Sequence, residues 1–96
     1  MMVRRRYLVA YDIRDGVRLR KVHKIVKGFG FSMQYSVFVC DLNSRERMDL
    51  LQRLSDVADV RIDSIAVVDL GEPGDPKPFT FLGPHELLPR TGPTIL

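Results

Sequence analysis

The chain has 96 residues, enough for one small domain with a limited capacity to bury its own apolar surface, so a partner subunit would add to its stability. Its net charge of +3 is mildly basic and compatible with a nucleic-acid partner, and its one cysteine, Cys40, excludes an internal disulfide. No apolar run approaches a membrane span, and the first arginines precede a strand-like segment with no small-residue cleavage site, so a cytoplasmic protein is expected.

The first element is Tyr7-Leu8-Val9-Ala10-Tyr11-Asp12-Ile13, an apolar run rich in strand-forming residues that stops at a carboxylate. Alternation along a strand places Asp12 on the face of Leu8 and Ala10. A charge at the end of an apolar face needs water, a partner or a metal; by turn chemistry alone, Asp12 simply begins a turn. A helix follows, with Asp15 as its N-cap and Leu19, Val22, Val26 and Phe29 recurring every three or four residues, Ile25 beside them. Gly28 and Gly30 supply the stop signal. The opposite face carries Arg18, Arg20, Lys21, Lys24 and Lys27 with no acid among them. A merely solvated helix face usually interleaves carboxylates as partners, so this one is a candidate phosphate-facing surface, continued by Arg14 just upstream. His23 has no second ligand at metal spacing and reads as a bystander.

Residues 32–42 fit either one long strand or two short strands broken near Tyr35-Ser36. From Val37 onward both faces are apolar, so both need cover. Ser44 is the expected cap of a second helix, with Met48, Leu51, Leu54 and Ala58 as its apolar stripe and mixed charges outside. Residues 63–70 form another strand that is apolar on both faces. Residues 71–76 break the chain, and Phe79–Leu82 is a short strand candidate that could extend a sheet edge. Residues 1–82 are expected to form a single domain, with 83–96 an irregular tail. The order is βαββαβ, an α+β ferredoxin-like sandwich with an extra C-terminal strand. Helices cover one sheet face in that architecture; dimerisation through the other would cover the second apolar set.

Lys27-Gly28-Phe29-Gly30-Phe31 matches the opening of the RNA-recognition-motif signature, but that signature belongs on a third strand and here only one helix separates it from the first. A different resemblance is more specific. The Tyr7–Ile13 strand, the basic helix closing in Gly28-Phe29-Gly30, Gln34-Tyr35-Ser36-Val37-Phe38 and Asp63-Ser64-Ile65 together resemble the Cas-two family of CRISPR-associated proteins, from residue 7 to about 70 in order and spacing.

The resemblance implies a homodimer whose sheets face one another, the fifth strand commonly joining the partner's sheet. It implies a role in CRISPR adaptation, bridging dimers of the Cas-one integrase and holding the duplex to be inserted. It also implies, for some members, a metal-dependent nuclease acting on single-stranded RNA or double-stranded DNA. The residue carried over for catalysis and for binding Mg²⁺ is Asp12, one copy from each subunit. Ser32 stands where members often have arginine, and Val39 where many have glutamate, departures that bear on the chemistry and leave the fold intact. The competing expectation is a non-catalytic DNA-binding bridge in which Arg14, Arg18, Arg20, Lys21, Lys24 and Lys27 contact phosphates without reading bases. A small-molecule regulatory domain of similar fold is disfavoured by the acid-free helix and the lack of a glycine-rich phosphate loop.

Overall fold

A computed structural model describes residues 3–74 together with Thr80, Leu82 and Gly83. The order is β1 (Arg5–Asp12), α1 (Gly16–Lys27), β2 (Phe31–Gln34), β3 (Val37–Leu42), α2 (Ser44–Val57) and β4 (Ser64–Gly71). The four strands form one sheet in the order β2-β3-β1-β4, with every neighbouring pair antiparallel. This is the ferredoxin-like arrangement, two split βαβ units with β1 and β3 in the centre. The segment 32–42 is two strands: the chain turns at Tyr35-Ser36, and Tyr11 N–H donates to the Ser36 carbonyl at 3.1 Å. The expected strand Phe79–Leu82 falls on Phe79 and Phe81, outside the described residues, as does the tail beyond Gly83.

The core lies between the sheet and the two helices. Tyr7, Val9 and Tyr11 of β1, Phe38, Cys40 and Leu42 of β3, Val22 and Val26 of α1, and Leu50 and Leu54 of α2 are all buried there. Each fully buried aliphatic side chain contributes about 1.5–3 kcal/mol by leaving water. Leu19, Ile25 and Phe29 pack against this core, as the helical spacing predicts. Burial pushes the Cys40 thiol up to about 12, with Asp41 adding to the effect, so Cys40 stays a protonated, apolar filler.

Two expectations need correction, and one needs extending. The cap of α2 is Asn43, not Ser44. The Glu46 N–H donates to Asn43 Oδ1 at 2.8 Å, and the Asn43 N–H donates to Glu46 Oε1 at 2.9 Å. A capping box needs a carboxylate three residues after the cap; counting from Ser44, that position is Arg47, which cannot accept. The buried stripe of α2 is Leu50 and Leu54 with Val57 beside them, while Met48 is exposed. Both apolar stripes fit a helical period, and only the rotation of the helix on the sheet selects one. Gly30, finally, does more than stop a helix. A Cβ there would collide with the Val39 carbonyl and the Cys40 sulfur, so glycine lets the chain entering β2 run close against β3.

The sheet's other face carries Leu8 paired with Val39 and Val68, Ala10 paired with Val37 and Ala66, and Asp12 paired with Ser64. Asp12 therefore shares a face with Leu8 and Ala10, as alternation predicts. On this face Val39 is buried, Leu8, Ala10 and Val37 are half-buried, and Phe31, Ala66 and Val68 are exposed. Arg6 is only 2% exposed and forms a bidentate pair with Asp41, at 2.8 and 2.9 Å. Its planar fork matches the carboxylate, which is how a guanidinium tolerates burial.

Candidate functional site

Asp12 ends the central strand β1, at the same end of the sheet as the Tyr35-Ser36 turn. Its carboxylate is 64% exposed and meets the equally exposed Arg14 guanidinium at 3.1 Å. No group of three or more His, Cys, Asp or Glu side chains among the described residues is arranged to hold a metal ion. Among the described residues of one chain, Asp12 therefore has no ready-made ligand cluster around it of the kind a hard divalent ion takes.

The loop after Asp12 is held by Asp63, whose side chain is fully buried. Asp63 Oδ1 accepts from the Arg14 N–H at 2.9 Å and from Arg18 Nη2 at 3.2 Å. Its Oδ2 accepts from Arg18 Nε at 2.7 Å and from the Asp59 N–H at 2.9 Å. One carboxylate therefore ties together the β1–α1 loop, helix α1 and the α2–β4 loop. The Arg18 guanidinium and the Arg14 N–H hold its pKa well below the usual carboxylate range, because both favour the charged form. Sequence reasoning placed Asp63 at the start of a strand without a role. The signal lies in three-dimensional proximity, 45 residues from Arg18 along the chain.

The six cations expected at phosphates separate into groups. Arg18 is committed to Asp63 and Arg14 to Asp12. Arg20, Lys21, Lys24 and Lys27 are exposed and make no ion pair among the described residues. Arg20, Lys24 and Lys27 fall at i, i+4 and i+7, one stripe on the side of α1 away from buried Val22 and Val26. Lys24 and Lys27 lie in the last turn, where the helix dipole favours cations; Arg20 and Lys21 lie outside that turn.

His23, read from the sequence as a bystander rather than a metal ligand, is tied into the packing around β1 and β3. Its Nδ1 and the Tyr11 hydroxyl share a hydrogen bond of 2.8 Å, its ring meets Phe38 edge-on at 5.4 Å, and the exposed Tyr35 ring stacks on it at 6.2 Å. Burial raises the Tyr11 phenol above its ordinary range, with Tyr35 adding to the shift.

A family profile described as CRISPR associated protein Cas2 matches residues 5–77 of this chain. The chain belongs to the Cas2 family. Among its relatives is a protein of Rhodospirillum rubrum named CRISPR-associated endoribonuclease Cas2 1, which is 41% identical over 69 residues, covering 72% of this chain and 68% of the relative. Another, from Geobacter sulfurreducens, is named CRISPR-associated endoribonuclease Cas2 and is 33% identical over 72 residues, 75% of this chain and 76% of its own. The Cas2 structure of Streptococcus pyogenes superposes with a TM-score of 0.72 at 32% identity, covering 81% of this chain and 99% of that one. A Thermus thermophilus structure described as hypothetical protein TT1823 gives 0.77, also at 32% identity, over 88% and 96%. No described helix is long and apolar enough to cross a membrane.

Proposed function

We propose that this Cas2-family chain works in the cytoplasm as a homodimer that binds nucleic acid during CRISPR adaptation, beside the Cas-one integrase. Asp12 of each copy would hold Mg²⁺ for phosphodiester cleavage. The observation that carries nucleic-acid binding is the exposed stripe Arg20, Lys24 and Lys27, whose cations have no acidic partner among the described residues. Unpaired cations aligned on one helix face are suited to a phosphate backbone, and two copies would supply two such tracks.

Affinity for a blunt duplex should fall steeply with salt, and Lys24→Ala with Lys27→Ala should flatten the log–log slope by roughly 0.9 for each phosphate that is no longer neutralised. Titrations at a series of salt concentrations check this, and a salt-independent affinity would remove the phosphate track.

The dimer is supported by the half-covered apolar face of Leu8, Ala10, Val37, Ala66 and Val68. Sedimentation at micromolar concentration should give twice the chain mass, and a monomer would refute the arrangement. Two copies would bring together what one lacks, a second Asp12 carboxylate. A bound Mg²⁺ would supply an activated water and offset charge on the phosphate. Asp15 is an unsuitable general base, since its carboxylate accepts from the Arg18 N–H at 3.0 Å to cap α1. The relatives' names support RNA as one substrate, and double-stranded DNA is the substrate expected for adaptation.

A second reading, a non-catalytic DNA-binding bridge, is favoured by one observation: Asp12 is already paired with Arg14, and no group of three or more metal-ligating side chains forms among the described residues.

A further inference from the structure

Resting on the nucleic-acid role proposed above, we infer that Tyr35 is a stacking platform for an unpaired nucleobase, beside the cationic stripe of α1. Single exposed aromatics are ordinary on protein surfaces. Three features set Tyr35 apart. It is 77% exposed at the turn between β2 and β3, and its ring is nonetheless held in place, stacked on His23 with 27° between the planes. His23 in turn is fixed by the Tyr11 hydroxyl at 2.8 Å and by the Phe38 ring, which meets it at 75°. Tyr11 and Phe38 are both core residues. The exposed ring is thus backed by a line of contacts running into the core, so a base that lands on it orders little that is not already ordered.

The surroundings are also suited to nucleic acid. His23 lies on α1 three residues after Arg20 and four before Lys27, so these two cations flank it along the helix surface, with Lys24 adjacent. An aromatic face beside a row of unpaired cations is the arrangement that binds single strands, the cations following the backbone and the ring taking a base. Stacking is tolerant of sequence because every base has a π-face, and a duplex hides those faces. Tyr35 therefore adds strand state to a track that otherwise sees only phosphate. Because the ring rests on a residue of α1, it lies on the helix side of the sheet, away from the face proposed for dimerisation, and stays accessible in a dimer. Ribose and deoxyribose strands present the same kind of π-face, and binding assays on both separate the two sources.

The test uses the full chain and three probes: a short mixed-sequence single-stranded RNA, the same sequence as single-stranded DNA, and its blunt duplex. Tyr35→Ala should weaken single-strand binding by roughly tenfold, leave duplex binding within about twofold, and leave the salt slope unchanged. Tyr35→Phe should retain single-strand affinity, since the ring and not the hydroxyl does the stacking. The chain has no tryptophan, so Tyr35→Trp installs a lone indole whose fluorescence should be quenched by a single strand and not by the duplex. A preference of the native chain for one of the two single strands, lost in Tyr35→Ala, would identify that strand as the ligand. Unchanged single-strand affinity in Tyr35→Ala, with Lys24→Ala and Lys27→Ala still weakening every probe, would overturn the platform and leave the phosphate track standing. Equal losses on single strands and duplex would overturn the strand preference. Failure of the native chain to bind any probe would overturn the platform and the nucleic-acid role together.

Discussion

Asp12→Ala and Asp12→Asn should each lower Mg²⁺-dependent cleavage by at least roughly a hundredfold, more than the ten- to hundredfold typical of residues that only orient a metal ligand. The pair separates charge from shape. Asparagine keeps the size of the side chain and can still meet Arg14, but it loses the charge a hard cation requires. Alanine loses both. The carboxylate is largely exposed at the end of a strand, so neither change should disturb the fold, and the melting transition should stay where it is. Nucleic-acid binding through Arg20, Lys24 and Lys27 should survive both variants, because the stripe lies on α1 and Asp12 on the opposite sheet face. Chelation of divalent ions should abolish cleavage by the native chain and leave binding unaltered. Cleavage that persists in both variants would exclude Asp12 as the catalytic ligand. Absence of cleavage by the native chain with Mg²⁺, alongside tight salt-sensitive binding, would favour the non-catalytic bridge.

Asp63→Asn should have the second-largest effect, on stability and on cleavage together. The native carboxylate accepts four hydrogen bonds, from Arg18 Nε, Arg18 Nη2, the Arg14 N–H and the Asp59 N–H. An amide supplies one acceptor oxygen in place of two, and it turns an NH₂ group toward Arg18. The melting temperature should fall by several degrees, because the guanidinium loses its buried counter-charge. The pH dependence has a definite sign. The carboxyl is more acidic in the folded chain than in the unfolded one, so its contribution is complete above the unfolded value of about 4 and declines only as pH falls toward the folded value. Thermal melts of the native chain and the variant should therefore differ by a constant amount at neutral pH and converge only in strong acid. A gap that closes nearer neutrality would show that the Arg18 pair does not set this carboxyl's acidity. Cleavage should fall in Asp63→Asn by roughly ten- to hundredfold, as for a positioning residue. Asp63 fixes the Arg14 backbone and thereby the loop that leaves Asp12, and it touches neither substrate nor metal. Asp63→Glu, which restores the charge, should recover part of the stability. A variant that melts earlier yet cleaves at the native rate when folded would limit Asp63 to a structural role.

What could be read along the chain and what could not differ in physical kind. Local pattern was sufficient for the elements of β1, α1 and β4, because alternation and the three-to-four spacing are properties of the segment alone. The same is true of the shared face of Leu8, Ala10 and Asp12, and of the one-signed charge on α1. The βαββαβ order then leads to the ferredoxin-like sheet, since two split βαβ units leave few topologies open. On α2 the pattern was ambiguous. Two apolar stripes share Leu54, and packing against the sheet buried Leu50 in preference to Met48. Asn43 and Ser44 are equally good caps by type, and the reach of Glu46 decided between them.

The candidate site divides along the same line. The sequence by itself determined that Asp12 ends the first strand and that Arg20, Lys21, Lys24 and Lys27 lack acidic neighbours along their helix. Only the tertiary structure decided what each of these charges does. It withdrew Arg18 from the cationic surface by placing Asp63 against it, and it set Arg14 beside Asp12. It also turned His23 from an isolated histidine into the link between buried Tyr11 and exposed Tyr35. The Asp63 and His23 outcomes depend on contacts between residues 12 to 45 positions apart, which no periodicity along the chain encodes; they exist only once the helices have settled on the sheet.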